Sequence, residues 1–395
     1  MSLAVVGSVA FDSITTPFAE CDRELGGSAV HASLAGALFT ESRIVGPVGG
    51  DFAAEHDAAL TGRGVDTSDL DRHADAKTFA WHGGYDYDMS VAKHKATELN
   101  VFEGWRPELS ATARESDILF TASMDPETQI EVRKQWQGTK WSALDSIYFW
   151  IELKREALIE AIRGVDIVFM DDQEVRALTG HRMLMHAARD IMSWGPKAVV
   201  VKHGEYGSSL LTENGYFALP GYPLETVADP TGSGDAFAGG FLGYLDLVPA
   251  GAELNESVLR RAITYGSVVA SFCVEDFGAR RILEIGQREI DARVADFKEM
   301  THFEQVETKE KRREPGGDPS DRRFARPKPT AGTARFDSPE PTVGTPVYDS
   351  PAPSTGTPHY GQPHSTPGTE PLWKPRAPRD LGFSRRGDDR RVAPV

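Results

Sequence analysis

Cysteine is almost missing from this chain, with Cys21 and Cys273 the only two in 395 residues. Two thiols 252 positions apart cannot form a disulfide framework, and so low a cysteine content suits a reducing compartment. Nowhere do about 18 consecutive apolar residues occur, and the start, MSLAVVGSVA, has no basic n-region and too short an apolar run for a secretory leader. We therefore expect a cytoplasmic protein without a membrane span. Positive charge is scarce over residues 1–304, where 27 Lys and Arg face 47 Asp and Glu. A body near −20 repels a phosphate backbone, which argues against nucleic acid as its partner. Three catalytic signatures are also missing: no GxxxxGK[ST] loop, no HRDxxxxN set and no HExxH string occurs. P-loop NTPases, protein kinases and zincins are disfavoured, and the Cys and His spacing offers no structural zinc site.

Proline divides the chain. Only 9 of the 25 prolines precede residue 301, and 16 follow it. From residue 305 the composition turns to Pro, Gly, Ser, Thr and Arg, which cannot bury enough apolar surface to offset ordering entropy. We expect one globular domain over 1–304 and a disordered tail over 305–395. The tail carries a tandem 12-residue repeat at 337–360, DSPEPTVGTPVY followed by DSPAPSTGTPHY. Such a repeat is a linker grown by duplication or a docking array whose partner the sequence does not name.

Before the tail, short β-branched runs alternate with helical stretches, the pattern of parallel strands joined by helical crossovers. Strands fit Leu3 to Gly7, Ser42 to Val48, Ile118 to Ala122, Ile167 to Met170 and Ala198 to Lys202. Helices fit Ala29 to Phe39, Pro126 to Gln137, Lys154 to Ile162, Gln173 to Leu178, Leu184 to Trp194, Asp235 to Leu245 and Glu256 to Cys273. The expected fold is α/β, an open doubly wound sheet with helices on both faces. The stretch 78–102 departs from this rhythm, because Phe79, Trp81, Tyr85 and Tyr87 alternate with polar residues. It reads as an antiparallel excursion, a flap over the sheet edge.

ADPTGSGDAFAGGF, Ala228 to Phe241, carries the chemistry. A Gly-rich turn runs directly into an apolar helix, whose first N–H groups are unpaired and sit at the positive end of the macrodipole. Gly232, Ser233 and Gly234 can present those groups to an anion. Asp235 aims a carboxylate at the same place, which is costly as binding design and sensible if the carboxylate takes a proton. A base for a hydroxyl beside fixed dipoles for spreading charge is what phosphoryl transfer to an alcohol needs.

DPTGSGDAFAGGF resembles the C-terminal signature of the PfkB family of carbohydrate and nucleoside kinases, also called the ribokinase family. The resemblance extends over about residues 3–285 and implies a ribokinase-like fold with a small β-sheet lid. It implies that Asp235 is the catalytic base and that Gly232, Ser233 and Gly234 form the anion hole. GSVAFD, Gly7 to Asp12, is similar to the family's strand and turn whose Asp grips substrate hydroxyls. GGSAVHASLAGAL, Gly26 to Leu38, is similar to its N-terminal signature, so Asp12, Gly26, Gly27 and His31 are the substrate-binding candidates. His31 stands where many relatives have Asn; an imidazole can still hydrogen-bond a hydroxyl, with different shape and charge. VGPVGGDFAAEHDAALTGRGVDTS, Val45 to Ser68, follows the family's layout of strand, Gly turn and helix.

MDDQEVRALTG, Met170 to Gly180, resembles the family's Asn-x-x-Glu region, with Asp171 in place of Asn and Glu174 retained. These two are the candidates for holding magnesium, directly or through water. VVVKHGEYGSSLL, Val199 to Leu211, resembles the family's strand and nucleotide loop, which points to Lys202, Gly204 and Gly207. FCVEDFGARRI, Phe272 to Ile282, resembles the loop over adenine and points to Gly278. Ile282 occupies a place where some relatives have Ser, so a monovalent-cation requirement does not carry over.

The resulting expectation is an ATP-dependent, magnesium-requiring kinase for a small polyol, a sugar first and a nucleoside second. The acidic body disfavours a strongly anionic acceptor. The lid in relatives sometimes forms a dimer interface, which suggests a homodimer. The rival from another class is a non-catalytic ligand-binding or scaffold protein that keeps the kinase body and works through its tail.

Overall fold

A computed structural model describes residues 2–249 and 254–302. The expected tail and its repeat lie outside these residues. In chain order the strands are β1 (Ser2–Val6), β2 (Ala10–Thr15), β3 (Glu20–Gly26), β4 (Glu41–Gly49), β5 (Val65–His73), β6 (Phe79–Tyr85), β7 (Ala92–Glu98), β8 (Ile118–Thr121), β9 (Trp141–Asp145), β10 (Ile167–Asp171), β11 (Ala198–Lys202), β12 (Ser208–Thr212) and β13 (Gly215–Leu219). The helices are α1 (Ser28–Gly36), α2 (Ala54–Thr61), α3 (Ala111–Arg114), α4 (Pro126–Gln135), α5 (Tyr148–Leu153), α6 (Arg155–Arg163), α7 (Asp172–Thr179), α8 (Leu184–Ser193), α9 (Ser233–Asp246), α10 (Glu256–Cys273), α11 (Arg280–Glu284) and α12 (Gln287–Thr301).

Nine strands form one sheet in the order β13-β12-β11-β10-β9-β8-β1-β4-β5. From β11 to β5 all neighbours run parallel, and β12 and β13 finish one edge as antiparallel ribbons. The central strands are buried on both faces, which explains their continuous apolar runs such as Leu-Ala-Val-Val in β1. The chain moves from β1 to β4 and β5 on one side, then returns to β8 and β9 on the other. That reversal opens a crevice at the carboxyl ends of β1 and β8, the place where open α/β sheets hold ligands.

The excursion over 78–102 is present as β6 and β7, paired antiparallel. It belongs to a second sheet of four strands, β3-β2-β6-β7, so the N-terminal segment 10–26 supplies half of this small sheet. Its four aromatic side chains go different ways. Phe79 meets Phe102, Tyr87 is 81% exposed against Phe18, and Tyr85 turns toward the main body.

Helix α1 is apolar nearly all round and buried at every position, because the sheet lies on one side and α9 on the other. The two helices approach through glycines. A Cβ on Gly239 would strike the carbonyl of Ala32, and one on Gly243 would lie 2.8 Å from Gly36 O. The contacts step along both helices in the same sense, so the two N-termini arrive together at the carboxyl edge of the sheet. A hydroxyl clamp fixes the α1 end: Ser28 N–H donates to Ser8 Oγ at 3.0 Å, and Ser8 N–H donates to Ser28 Oγ at 3.2 Å. Gly239→Ala forces the helices apart, and equilibrium urea denaturation should show a loss of about 1–3 kcal/mol, the usual cost of overpacking a core.

Candidate functional site

Gly232 caps α9 with a left-handed φ of 74°, a conformation that costs glycine little and other residues more. Ser233, Gly234 and Asp235 are the first three helical residues after it. Ser233 N–H reaches Pro230 O at 3.3 Å, and the first i−4 helical bond is from Ala236 N–H to Gly232 O at 2.8 Å. The turn therefore delivers a helix start with its amides and dipole aimed into the crevice.

His31, in the first turn of α1, lies flat against this turn. A Cβ on Gly232 would sit 2.5 Å from three ring atoms of the imidazole, so the histidine and the glycine require each other. Its Nδ1 is 3.0 Å from Gly27 O. A carbonyl only accepts, so Nδ1 carries a proton there. Its Nε2 is buried and has no hydrogen-bond partner among the described residues. Two carboxylates are felt by this imidazole, Asp12 on β2 and Asp229 ahead of the turn.

Asp12 is 3% exposed. Burial pushes its carboxyl up to about 7, with His31 and the Gly27 amide pulling down and Asp229 and Asp235 pushing up. Gly26 is glycine because a Cβ there would collide with the Asp12 carboxylate, and Gly27, at φ 95°, lies against Ser8 O. Asp12, Gly26, Gly27 and His31 are thus contiguous and lie beside the glycine turn.

Asp235 sits at the opposite side of that turn. Burial raises its carboxyl to about 7, Asp145 adds to the rise, and Lys202 opposes it. Lys202, at the end of β11, extends along the turn until its Nζ is 2.9 Å from where a Cβ of Gly234 would be. Its ammonium is paired with Asp145 at the end of β9. Desolvation would lower Lys202, but Asp145 and Glu174 together hold it raised and charged. Asp145 was not among the sequence candidates. It is 3% exposed and it is the direct partner of the one cation that reaches the turn from β11.

Asp171 and Glu174 make a reciprocal capping box at the start of α7: Glu174 N–H donates to Asp171 Oδ1 at 2.7 Å and Asp171 N–H donates to Glu174 Oε2 at 2.8 Å. Burial, then Asp171, raises the Glu174 carboxyl to about 8. Among the described residues no cluster of three His, Cys, Asp or Glu is arranged to hold a metal.

The glycines expected around the nucleotide have distinct local reasons. Gly204 has φ 58° and open space where a side chain would go, whereas Gly207, φ 104°, packs against the end of β13. Gly278, φ 55°, donates its N–H to Asp229 Oδ2 at 3.1 Å. Asp229, fully buried, also accepts Thr231 N–H at 2.9 Å, so it ties the anion turn to the loop before α11. Sequence reasoning passed over Asp229 as a site residue, although it opens the quoted signature.

Comparison with known proteins places this arrangement. The sequence matches the pfkB family carbohydrate kinases over residues 5–285. It is 30% identical over 275 residues to a cytidine kinase of Thermococcus kodakarensis, covering 66% of this chain and 97% of that protein. In structure it is similar to the nucleoside kinase of Methanocaldococcus jannaschii, an archaeal member of the ribokinase family, with a TM-score of 0.61 and 21% identity, covering 75% of this chain and 98% of that one. A Vibrio cholerae fructokinase bound to fructose, ADP and calcium gives a TM-score of 0.60 at 19% identity, covering 74% and 98%. With its glycine turn, its buried carboxylate and a match spanning most of the globular body, this chain belongs to the pfkB family of carbohydrate kinases, phosphotransferases that act on hydroxyl acceptors.

Proposed function

We propose that the protein transfers the γ-phosphoryl group of ATP to a hydroxyl of a small neutral polyol, a sugar or the sugar of a nucleoside. The observation that carries this reading is the placement of Asp235 at the third residue of α9, behind an amide-lined turn and beside the Lys202 ammonium. In this reading Asp235 accepts the proton of the acceptor hydroxyl as its oxygen attacks the γ-phosphorus. The amides at Gly232, Ser233 and Gly234 and the ammonium of Lys202 take up the charge that spreads over the transferring oxygens. Asp171 and Glu174 would hold magnesium, directly or through its water, and the ion would supply positive charge to the nucleotide phosphates.

The acceptor wall supports a neutral, hydroxyl-rich ligand. Asp12 offers acceptor oxygens and His31 Nε2 has no partner among the described residues, so a ligand with several hydroxyls can satisfy both. A phosphate or carboxylate would meet Asp12 and Asp229 with like charge. The cytidine kinase relative favours a nucleoside as the second reading.

The reading is tested by ADP release from ATP and magnesium over a panel of neutral sugars, sugar phosphates and nucleosides. Asp235→Asn, which keeps the shape and removes the base, should lower kcat about 10²- to 10⁴-fold on the accepted substrate. Binding with no turnover anywhere on the panel would favour the scaffold reading instead. Because the base works only when ionised and its carboxyl is held up to about 7, kcat/KM should rise with pH through that value and level off above it. Asp12→Asn should keep this acidic limb at a reduced rate, which assigns the limb to Asp235 rather than to the other carboxyl near 7.

A further inference from the structure

Thr231 stands immediately ahead of the anion turn and is held from three sides. Its N–H donates to Asp229 Oδ1 at 2.9 Å, its carbonyl accepts Cys273 Sγ–H at 3.8 Å, and its Oγ1 lies 3.0 Å from the hydroxyl of Tyr85. Tyr85 is the last residue of β6, in the small four-stranded sheet. A chain of hydrogen bonds runs from the small sheet through Thr231 to Asp229, whose other oxygen accepts the Gly278 amide. Burial of the phenol raises Tyr85 to about 12, with Asp229 and Asp12 adding to the rise and the Thr231 bond opposing it, so it stays a protonated phenol.

We propose that Tyr85 is a positioning residue whose hydroxyl latches the small sheet onto the anion turn, so that the turn is held in its transfer geometry only while the sheet covers the acceptor pocket. This inference rests on the kinase reading above. It concerns the choice between the acceptor and water. With the latch broken, water reaches the nucleotide: a water oxygen forms the new bond to the γ-phosphorus, the bond from that phosphorus to the ADP oxygen breaks, and the water's proton leaves to solvent, giving ADP and inorganic phosphate.

The experiment uses the full chain and three conservative variants. Tyr85→Phe deletes one oxygen and keeps the ring, Thr231→Val removes the hydroxyl at constant shape, and Thr231→Ser keeps it. For Tyr85→Phe the expected result is a kcat on acceptor lowered about fivefold, the scale of one lost hydrogen bond, with KM for ATP unchanged. Acceptor-independent phosphate release should rise. Thr231→Val should do the same, the double variant should be no worse than either single one, and Thr231→Ser should behave as wild type. Additive losses, or a wild-type ratio of transfer to hydrolysis in Tyr85→Phe, would overturn the latch. Amide hydrogen exchange supplies a reading that needs no turnover. Protection in β6 and in residues 229–234 should fall together in Tyr85→Phe, and unchanged protection would overturn the proposal. A wild type that exchanges as expected yet turns over no acceptor would count against the kinase reading and leave the mechanical latch standing.

Discussion

The close approach of α1 and α9 governs everything built at the crevice. Two helices bring their N-termini to one point most readily when their backbones nearly touch, and Gly239 and Gly243 remove the side chains that would prevent it. The same approach lays the His31 ring against Gly232. His31 and the glycine turn are therefore neighbours by virtue of helix packing.

Electrostatics works against that geometry and is managed locally. Asp12, Asp145, Glu174, Asp229 and Asp235 converge from four segments of the chain, and burial pushes the pKa of each upward. Carboxylates crowded in this way favour neutral forms unless a cation or amides intervene. Lys202 supplies the cation for Asp145, Glu174 and Asp235, while Thr231 and Gly278 supply amides to Asp229. Asp12, Glu174 and Asp235 are thereby poised near neutrality, a condition suited to moving protons. Glu174 illustrates the crowding: it caps α7 reciprocally with Asp171 while burial and Asp171 raise its carboxyl.

Much of the fold was legible because its signals are local. The five strands and seven helices read from periodicity are all present, and Glu256–Cys273 has the bounds that its pattern suggested. β9 was missed because Trp-Ser-Ala-Leu-Asp is short, buried throughout and runs into the aromatic stretch of α5, where no alternation marks a strand. The segment 10–26 was missed as part of the small sheet because β2 pairs in parallel with β6, more than sixty residues away. Such pairing leaves no turn signature between the partners.

The sequence by itself determined the glycine turn, the carboxylate behind it and the order of the supporting motifs, because backbone dihedrals and helix starts are set by neighbouring residues. Only the tertiary structure decided that Lys202 is shared with Asp145, that His31 keeps an unpartnered nitrogen beside Asp12, and that Tyr85 reaches Thr231. Those relations join residues from 57 to 146 positions apart or depend on which groups are left without partners. Both are properties of burial and packing, and a linear reading carries neither.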